Sequence, residues 1–197
     1  MKVKKIKIDD EKDYEKLIKN IKRYKRIFYR NTSFAIENNI NDKTIEYIEN
    51  ALNIKNRRKR IEYIFDTSCK IIDENTNNKN ICGFKEGKCF VQQRKKDGKC
   101  NGCCRKCLYQ SKNGCLTKNL TCKLFYCSEV KTRYNVIKYE DLKLLKLLSI
   151  KNRCIIKHDF FSKREDYLKD LYSYTLTYSM IRIVIRLIKT YFKLRKK

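Results

Sequence analysis

ICGFKEGKCFVQQRKKDGKCNGCCRKCLYQSKNGCLTKNLTCKLFYC, running from Ile81 to Cys127, decides how this chain of 197 residues is read. Nine of the 11 cysteines lie in it: Cys82, Cys89, Cys100, Cys103, Cys104, Cys107, Cys115, Cys122 and Cys127. All 5 glycines, from Gly83 to Gly114, lie there as well. Glycine permits the positive φ angles of tight turns, so irregular backbone is concentrated in this stretch and scarce elsewhere. The expected fold is mainly α, with helices flanking a small irregular cysteine-rich metal-binding centre. Three segments follow: residues 1–80, basic and helical; 81–130, cysteine-rich; and 131–197, helical and packed with the first as one unit.

Composition supports a folded protein with an anionic partner. Hydrophobic residues make up 42% of the chain, enough to bury a core. Lys and Arg number 49 against 22 Asp and Glu, a net charge of +27 that attracts polyanions such as nucleic acid, or acidic lipid headgroups. Asn, Ile and Lys are heavily used while Trp and Pro are absent, so part of the lysine excess reflects compositional drift rather than function. The opening MKVKKIKIDDEKDYEK is basic but lacks the apolar run of roughly seven to fifteen residues of a secretory signal, which predicts a cytoplasmic protein. Disulfides are disfavoured in that reducing setting, so clustered cysteines point to metal or redox chemistry.

Thiolates bind soft and borderline metals, and two cysteines separated by two residues can place both sulfurs on one ion. Cys100 with Cys103, and Cys104 with Cys107, have that spacing. A tetrahedral site takes four ligands, so nine candidates allow two sites, one site with spare thiols, or one cluster. Zinc is the first choice for four thiolates in a reducing compartment, and an iron-sulfur cluster, with redox or maturation chemistry, is the alternative. Cys100, Cys104 and Cys107 also spell the C-x3-C-x2-C of radical S-adenosylmethionine clusters, but the strongly helical sequence that follows does not suit the strand-rich barrel of those enzymes. The bacterial ferredoxin spacing fails at Lys106.

CNGCCRKC, then Gly114-Cys115, then CKLFYC, resembles the zinc- or iron-chelating cysteine-cluster domain of bacteria over about a quarter of the chain. The resemblance implies Cys100, Cys103, Cys104, Cys115, Cys122 and Cys127 as the ligand set, with Cys82, Cys89 and Cys107 as further candidates. It implies metal binding without specifying an activity.

Helical periodicity flanks this centre. Asp9 or Asp10 is placed to cap a helix carrying Tyr14, Leu17, Ile18, Ile21, Tyr24, Ile27 and Phe28. Ile45, Ile48 and Leu52, then Ile61, Ile64 and Phe65, repeat the pattern. DENTNNKN, residues 73–80, reads as a polar link. EDLKLLKLLSI, residues 140–150, reads as a well-buried helix, and Ser162 with Glu165 as a capping box opening one long final helix. In that helix Ile181, Val184, Ile185, Ile188 and Phe192 share a face expected to pack on the core, while Arg182, Arg186, Lys189 and Lys193 share another. A basic amphipathic helix can also lie on a membrane surface, the less favoured reading.

Other candidates carry weaker signals. RYKRIFYR and NRRKR offer Arg23, Lys25, Arg26, Arg30, Arg57, Arg58 and Arg60 as nucleic-acid contacts, basic residues with aromatics nearby, although Tyr24, Ile27 and Phe28 also fit a buried stripe. Cys154 and His158, four apart, share a helical face and read as a core cysteine beside a surface histidine rather than as ligands. Cys69 reads as a small core residue. Catalysis has little support: no glycine motif for nucleotides is present, and no Ser-His-Asp set assembles around His158, the only histidine.

Overall fold

A computed structural model of the chain describes residues 2–25, 29, 31–40, 42–86, 88–94, 110–111, 114–115 and 117–195. These are mainly helical, as expected. Two compact units are distinguished: residues 1–68 with 140–153, and residues 69–139 with 154–197.

The first unit contains strand β1 (Lys2–Ile8), helix α1 (Glu11–Asn20), a 3-10 turn (Arg23–Lys25), strand β2 (Thr32–Asn38), helix α2 (Lys43–Asn53) and the start of α3 (Arg57–Asn78). A second 3-10 helix (Lys143–Leu147) and the start of α7 (Ile150–His158) complete it. β1 and β2 pair in parallel, Lys2 opposite Thr32 and Ile8 opposite Asn38. The helical reading of the N-terminus missed this sheet. In KVKKIKI, Lys4, Ile6 and Ile8 alternate toward the less exposed side, the period of a strand. Parallel strands need a crossover, and α1 supplies it. Its start is as expected, since the Asp10 carboxylate accepts the Asp13 N–H at 2.8 Å. It ends at Asn20, however, instead of running on through Tyr24. The Tyr24 ring packs against Tyr29 and Phe34, with centroids 5.7 and 5.4 Å away, so tertiary packing on β2 overrides helical periodicity here.

The open edge of β2 is closed by two side chains: the Lys55 ammonium donates to the Thr32 carbonyl, and Asn53 pairs with Phe34. The Asn53 carboxamide, at the end of α2, accepts the Phe34 N–H at 2.8 Å and donates to the Phe34 carbonyl at 2.9 Å. α2 lays Ile45, Ile48, Ala51 and Leu52 into the core, as its periodicity predicts. The leucine run of residues 140–150 is buried as expected, but its centre is 3-10 rather than α-helical. Leu142, Leu145 and Leu148 recur every third residue, as do Leu144 and Leu147, which matches three residues per turn. Leu145 and Leu148 donate to the carbonyls three residues back, at 2.9 and 3.0 Å.

The second unit contains the rest of α3, α4 (Phe90–Arg94), a short antiparallel pair of β3 (Gln110–Ser111) with β4 (Gly114–Cys115), α5 (Leu120–Lys123) and α6 (Ser128–Arg133). The rest of α7, then α8 (Arg164–Tyr172) and α9 (Leu176–Arg195), follow. The polar run expected to be a link is helical as far as Asn78. Its polar residues have tertiary partners: the Thr76 hydroxyl lies 3.1 Å from the Tyr126 hydroxyl, and Asp73 pairs with Lys123.

The end of the chain corrects two expectations. Ser162 does not cap a helix; its hydroxyl donates to the buried Asp159 carboxylate, and α8 begins at Arg164 with no side-chain cap. The expected single helix is two, broken between Tyr172 and Leu176. The second correction concerns the face α9 buries. Ser179 and Ile183 are buried, and Arg186 reaches inward, its Nε donating to the Ser162 hydroxyl at 2.8 Å and its Nη2 lying 3.1 Å from Asp159. Arg186 also pairs with Asp170, which Arg182 approaches to 3.4 Å. Asp159 and Asp170 are each 0% exposed. A buried carboxylate requires a cation, so the arginine row is the row that docks. The apolar stripe therefore faces outward: Ile181, Ile185, Ile188 and Phe192 are 54%, 45%, 51% and 55% exposed.

Candidate functional site

Cys82 and Cys89 are brought near each other by a tight turn. Lys85 and Lys88 exchange backbone hydrogen bonds at 3.0 Å each, and the Phe90 N–H donates to the Cys82 carbonyl at 3.0 Å, closing the segment on itself. Gly83 makes the turn possible. Its φ is +53°, and an added Cβ would lie 3.2 Å from the Phe90 Cβ, so a side chain there meets both strain and crowding. The Asn80 carboxamide accepts the Phe84 N–H at 3.2 Å, and Gln92 accepts the Cys89 N–H at 3.0 Å, fixing the two ends of the turn.

Cys127 arrives from the far end of the segment. Cys89 and Val91 form a small buried cluster, and Cys82, Phe84, Phe90 and Cys127 pack against it. Cys82, Phe90 and Cys127 also flank the adjoining cluster of Ile81, Tyr126, Val130 and Val136. The Phe90 ring lies under two guanidinium groups, Arg133 at 4.8 Å and Arg94 at 5.6 Å, and Arg94 pairs with Glu129 at 2.9 Å. Three of the nine expected cysteines thus share one neighbourhood. Among the described residues Cys69, Cys82, Cys89, Cys122, Cys127 and Cys154 carry no disulfide.

Cys122 is held in different contacts. It follows Asn119, whose buried carboxamide accepts the Cys122 N–H at 2.9 Å and donates to the Asp159 and Ser162 carbonyls at 2.8 and 3.1 Å. The Cys122 sulfur accepts the Phe161 N–H at 3.3 Å, where Phe161 has φ +63°. Close by, the Tyr167 hydroxyl donates to Thr121 at 2.8 Å and Thr121 donates to the Ile156 carbonyl at 2.6 Å. Burial pushes the Tyr167 phenol well above its ordinary range. Cys100, Cys103, Cys104 and Cys107 lie outside the described residues, as does the side chain of Cys115. Among the described residues, no set of three or more His, Cys, Asp or Glu side chains is arranged to hold a metal ion.

Cys69 and His158 take their expected places, whereas Cys154, expected in the core, is only partly buried. Cys69 is buried in the core. The His158 ring nitrogen Nδ1 lies 2.8 Å from the Cys154 carbonyl oxygen and 3.9 Å from its sulfur, on an exposed face.

The basic stretches divide. Arg26, Arg30 and the Lys25 side chain lie outside the described residues, while Arg23 is exposed. Tyr24 and Tyr29 are packed with Phe34 beneath Lys4, whose ammonium sits 5.0 and 4.9 Å from their ring centroids. Arg57 and Arg58 stand in the first turn of α3, whereas Arg60 folds back to donate to the Ile54 carbonyl at 3.3 Å, and burial lowers its pKa. A cationic group that the sequence did not single out lies in the first unit. Burial, followed by the charges of Lys143, Lys22 and Arg153, lowers the pKa of Lys146. These residues are scattered over more than a hundred positions, so no run of charge marks them in the sequence.

The chain matches no protein-family model, no curated protein and no solved structure. Among the described residues, no helix is long and apolar enough to cross a membrane.

Proposed function

We propose that the segment from Cys82 to Cys127 is a thiolate metal centre, binding zinc rather than iron, in a cytoplasmic metal-binding protein. The observation that carries this reading is the gathering of Cys82, Cys89 and Cys127 on one small apolar cluster at the two ends of the segment. Cys100, Cys103, Cys104 and Cys107 fall between these ends in sequence, so the four-ligand requirement can draw on them. The described cysteines supply the right ligand type but do not complete a set on their own. The remaining ligands would come from the two Cys-x2-Cys pairs. Zinc is favoured because four thiolates in a reducing compartment form closed structural sites.

The test is elemental analysis of anaerobically purified protein, giving zinc, iron and sulfide per chain. Zinc at one or two per chain without sulfide supports the reading; iron with stoichiometric sulfide replaces it with the iron-sulfur alternative, and absence of both ends it. A structural ion is worth ~10 kcal/mol or more, so a strong chelator should expose residues 82–127 to protease. The net charge of +27 supports contact with a polyanion, nucleic acid being the proposed one, with Lys146 as a candidate contact. A fall in nucleic-acid affinity with salt, reduced by Lys146→Glu, checks that part.

A further inference from the structure

α9 docks by its charged row and leaves its apolar row uncovered. The exposed stripe comprises Ile181, Val184, Ile185, Ile188, Tyr191 and Phe192, each at least 45% exposed. At 100° per residue they form a continuous band along the outer face, opposite Ser179 and Ile183. Lys189 is exposed at one margin of that band, and Lys193, on the arginine side, is exposed near the C-terminal end of the helix. The helix holds no aspartate or glutamate in its 20 residues. The two carboxylates its arginines meet, Asp159 and Asp170, are buried on the opposite side and already paired.

Charge selects what covers the band. A second copy packed antiparallel, face to face, would bring the lysine margin of one helix against that of the other, and in either orientation two chains of net charge +27 repel with no acid on α9 to relieve it. An anionic bilayer presents the complementary pattern: hydrocarbon for the apolar residues, and phosphate or carboxylate headgroups for lysines that reach upward from the margin. Tyr191 and Phe192 stand at the C-terminal end of the band; the amphipathic tyrosine ring favours the headgroup boundary and the phenyl ring the apolar side of it. The band is a convex helix face, which suits a fluid interface. We infer that α9 is an interfacial helix that lays its Ile181–Phe192 band into the surface of an anionic lipid bilayer without crossing it. This inference does not depend on the metal reading, and the two fail separately.

A chain of net charge +27 adsorbs to anionic vesicles whatever its helices do, so the test must separate insertion from adsorption. The chain has no tryptophan, which makes Tyr191→Trp a single reporter. Full-length protein with this change is mixed with phosphatidylcholine vesicles, with and without phosphatidylglycerol, at low salt and at 0.5 M salt. The expected result is a blue-shifted emission on the anionic vesicles only, with binding that weakens but persists at high salt. Adding Ile185→Glu and Ile188→Glu should abolish the blue shift and lower partitioning by ~10-fold or more. Those positions are exposed, and an unchanged circular-dichroism melt confirms that the fold is kept. Binding without a blue shift, or binding unaffected by the two glutamates, overturns the inference, as does failure to bind. Self-association that disappears with Ile185→Glu and Ile188→Glu would assign the band to a second copy instead.

Discussion

Helices α2 and α9 carry the same kind of pattern and use it in opposite ways. In α2 the apolar positions Ile45, Ile48 and Leu52 face the core. In α9 the equivalent positions Ile181, Ile185 and Ile188 face outward, and the helix is attached through Ser179, Ile183 and Arg186. Periodicity tells which residues share a face, but not which face has a partner. The partner of α9 consists of two buried carboxylates, and a fully buried Asp without a cation costs more than an exposed isoleucine. The larger penalty determines the rotation of the helix.

The sharpest way to break the comparison is to remove the cation. Arg186→Ala leaves Asp159 without its guanidinium and takes one of two from Asp170, so a loss of about 3–5 kcal/mol is expected. Arg186→Lys retains the charge without the fork that reaches both acids and Ser162, and should recover only part of the loss. Urea unfolding measures both, with limited proteolysis near Ser173 as a local readout. If Arg186→Ala costs less than ~1 kcal/mol, ion pairing does not hold α9 in place.

Next in size is the apolar control. Ile48 is 0% exposed, so Ile48→Ala should cost about 2–5 kcal/mol through lost burial and the cavity left behind.

Asp159 supplies a pH test of the same network. Burial pushes its carboxyl up to about 6, with Ser162 and Arg186 pulling it down and Asp170 pushing it up. Between the ordinary value of 3.8 and about 6 the folded chain holds a proton that the unfolded chain has released. The stabilisation from this group is therefore present at low pH and lost as pH rises through about 6. Asp159→Asn removes that dependence. The stability of the native protein relative to Asp159→Asn should improve on going from pH 7 to pH 4.5, by roughly 2 kcal/mol. A difference that stays flat across that range, or changes the other way, would show that Asp159 is ionised throughout.

How much of this the sequence made legible depends on whether the deciding partner was near in the chain. Asp10 as a cap and the inward stripe of α2 are local patterns, and both are found where they were expected. The leucine run was legible as a buried helix but not as a 3-10 one, because α-periodicity does not register its three-residue spacing. β1 is hard to see in the sequence because Lys2, Lys5 and Lys7 hold three of its four exposed positions and the fourth, Val3, is apolar, so charge masks the alternation. The C-terminal reading failed because Ser162 and Arg186 are claimed by Asp159 and Asp170, whose burial no local pattern announces. At the candidate centre, spacing identified the cysteines as a class. That Cys82, Cys89 and Cys127 share a neighbourhood while Cys122 meets Phe161 depends on the turn at Gly83 and the loop at Phe161, both fixed by positive φ angles.

The smallest expected effect is the most informative about α9. Ile185 is 45% exposed and Ile188 is 51% exposed, so truncating either to alanine removes little buried surface, while alanine is itself a better helix former than isoleucine. The two terms nearly cancel, and Ile185→Ala or Ile188→Ala should change stability by less than ~0.5 kcal/mol in the isolated protein. Ile183→Ala, two residues before Ile185 on the core-facing side and 1% exposed, should cost about 2–5 kcal/mol in the same assay. A loss of that size at Ile185 would mean that the outer band is covered even without lipid, and a near-zero loss at Ile183 would mean that α9 is rotated from the orientation in which Arg186 reaches the two acids.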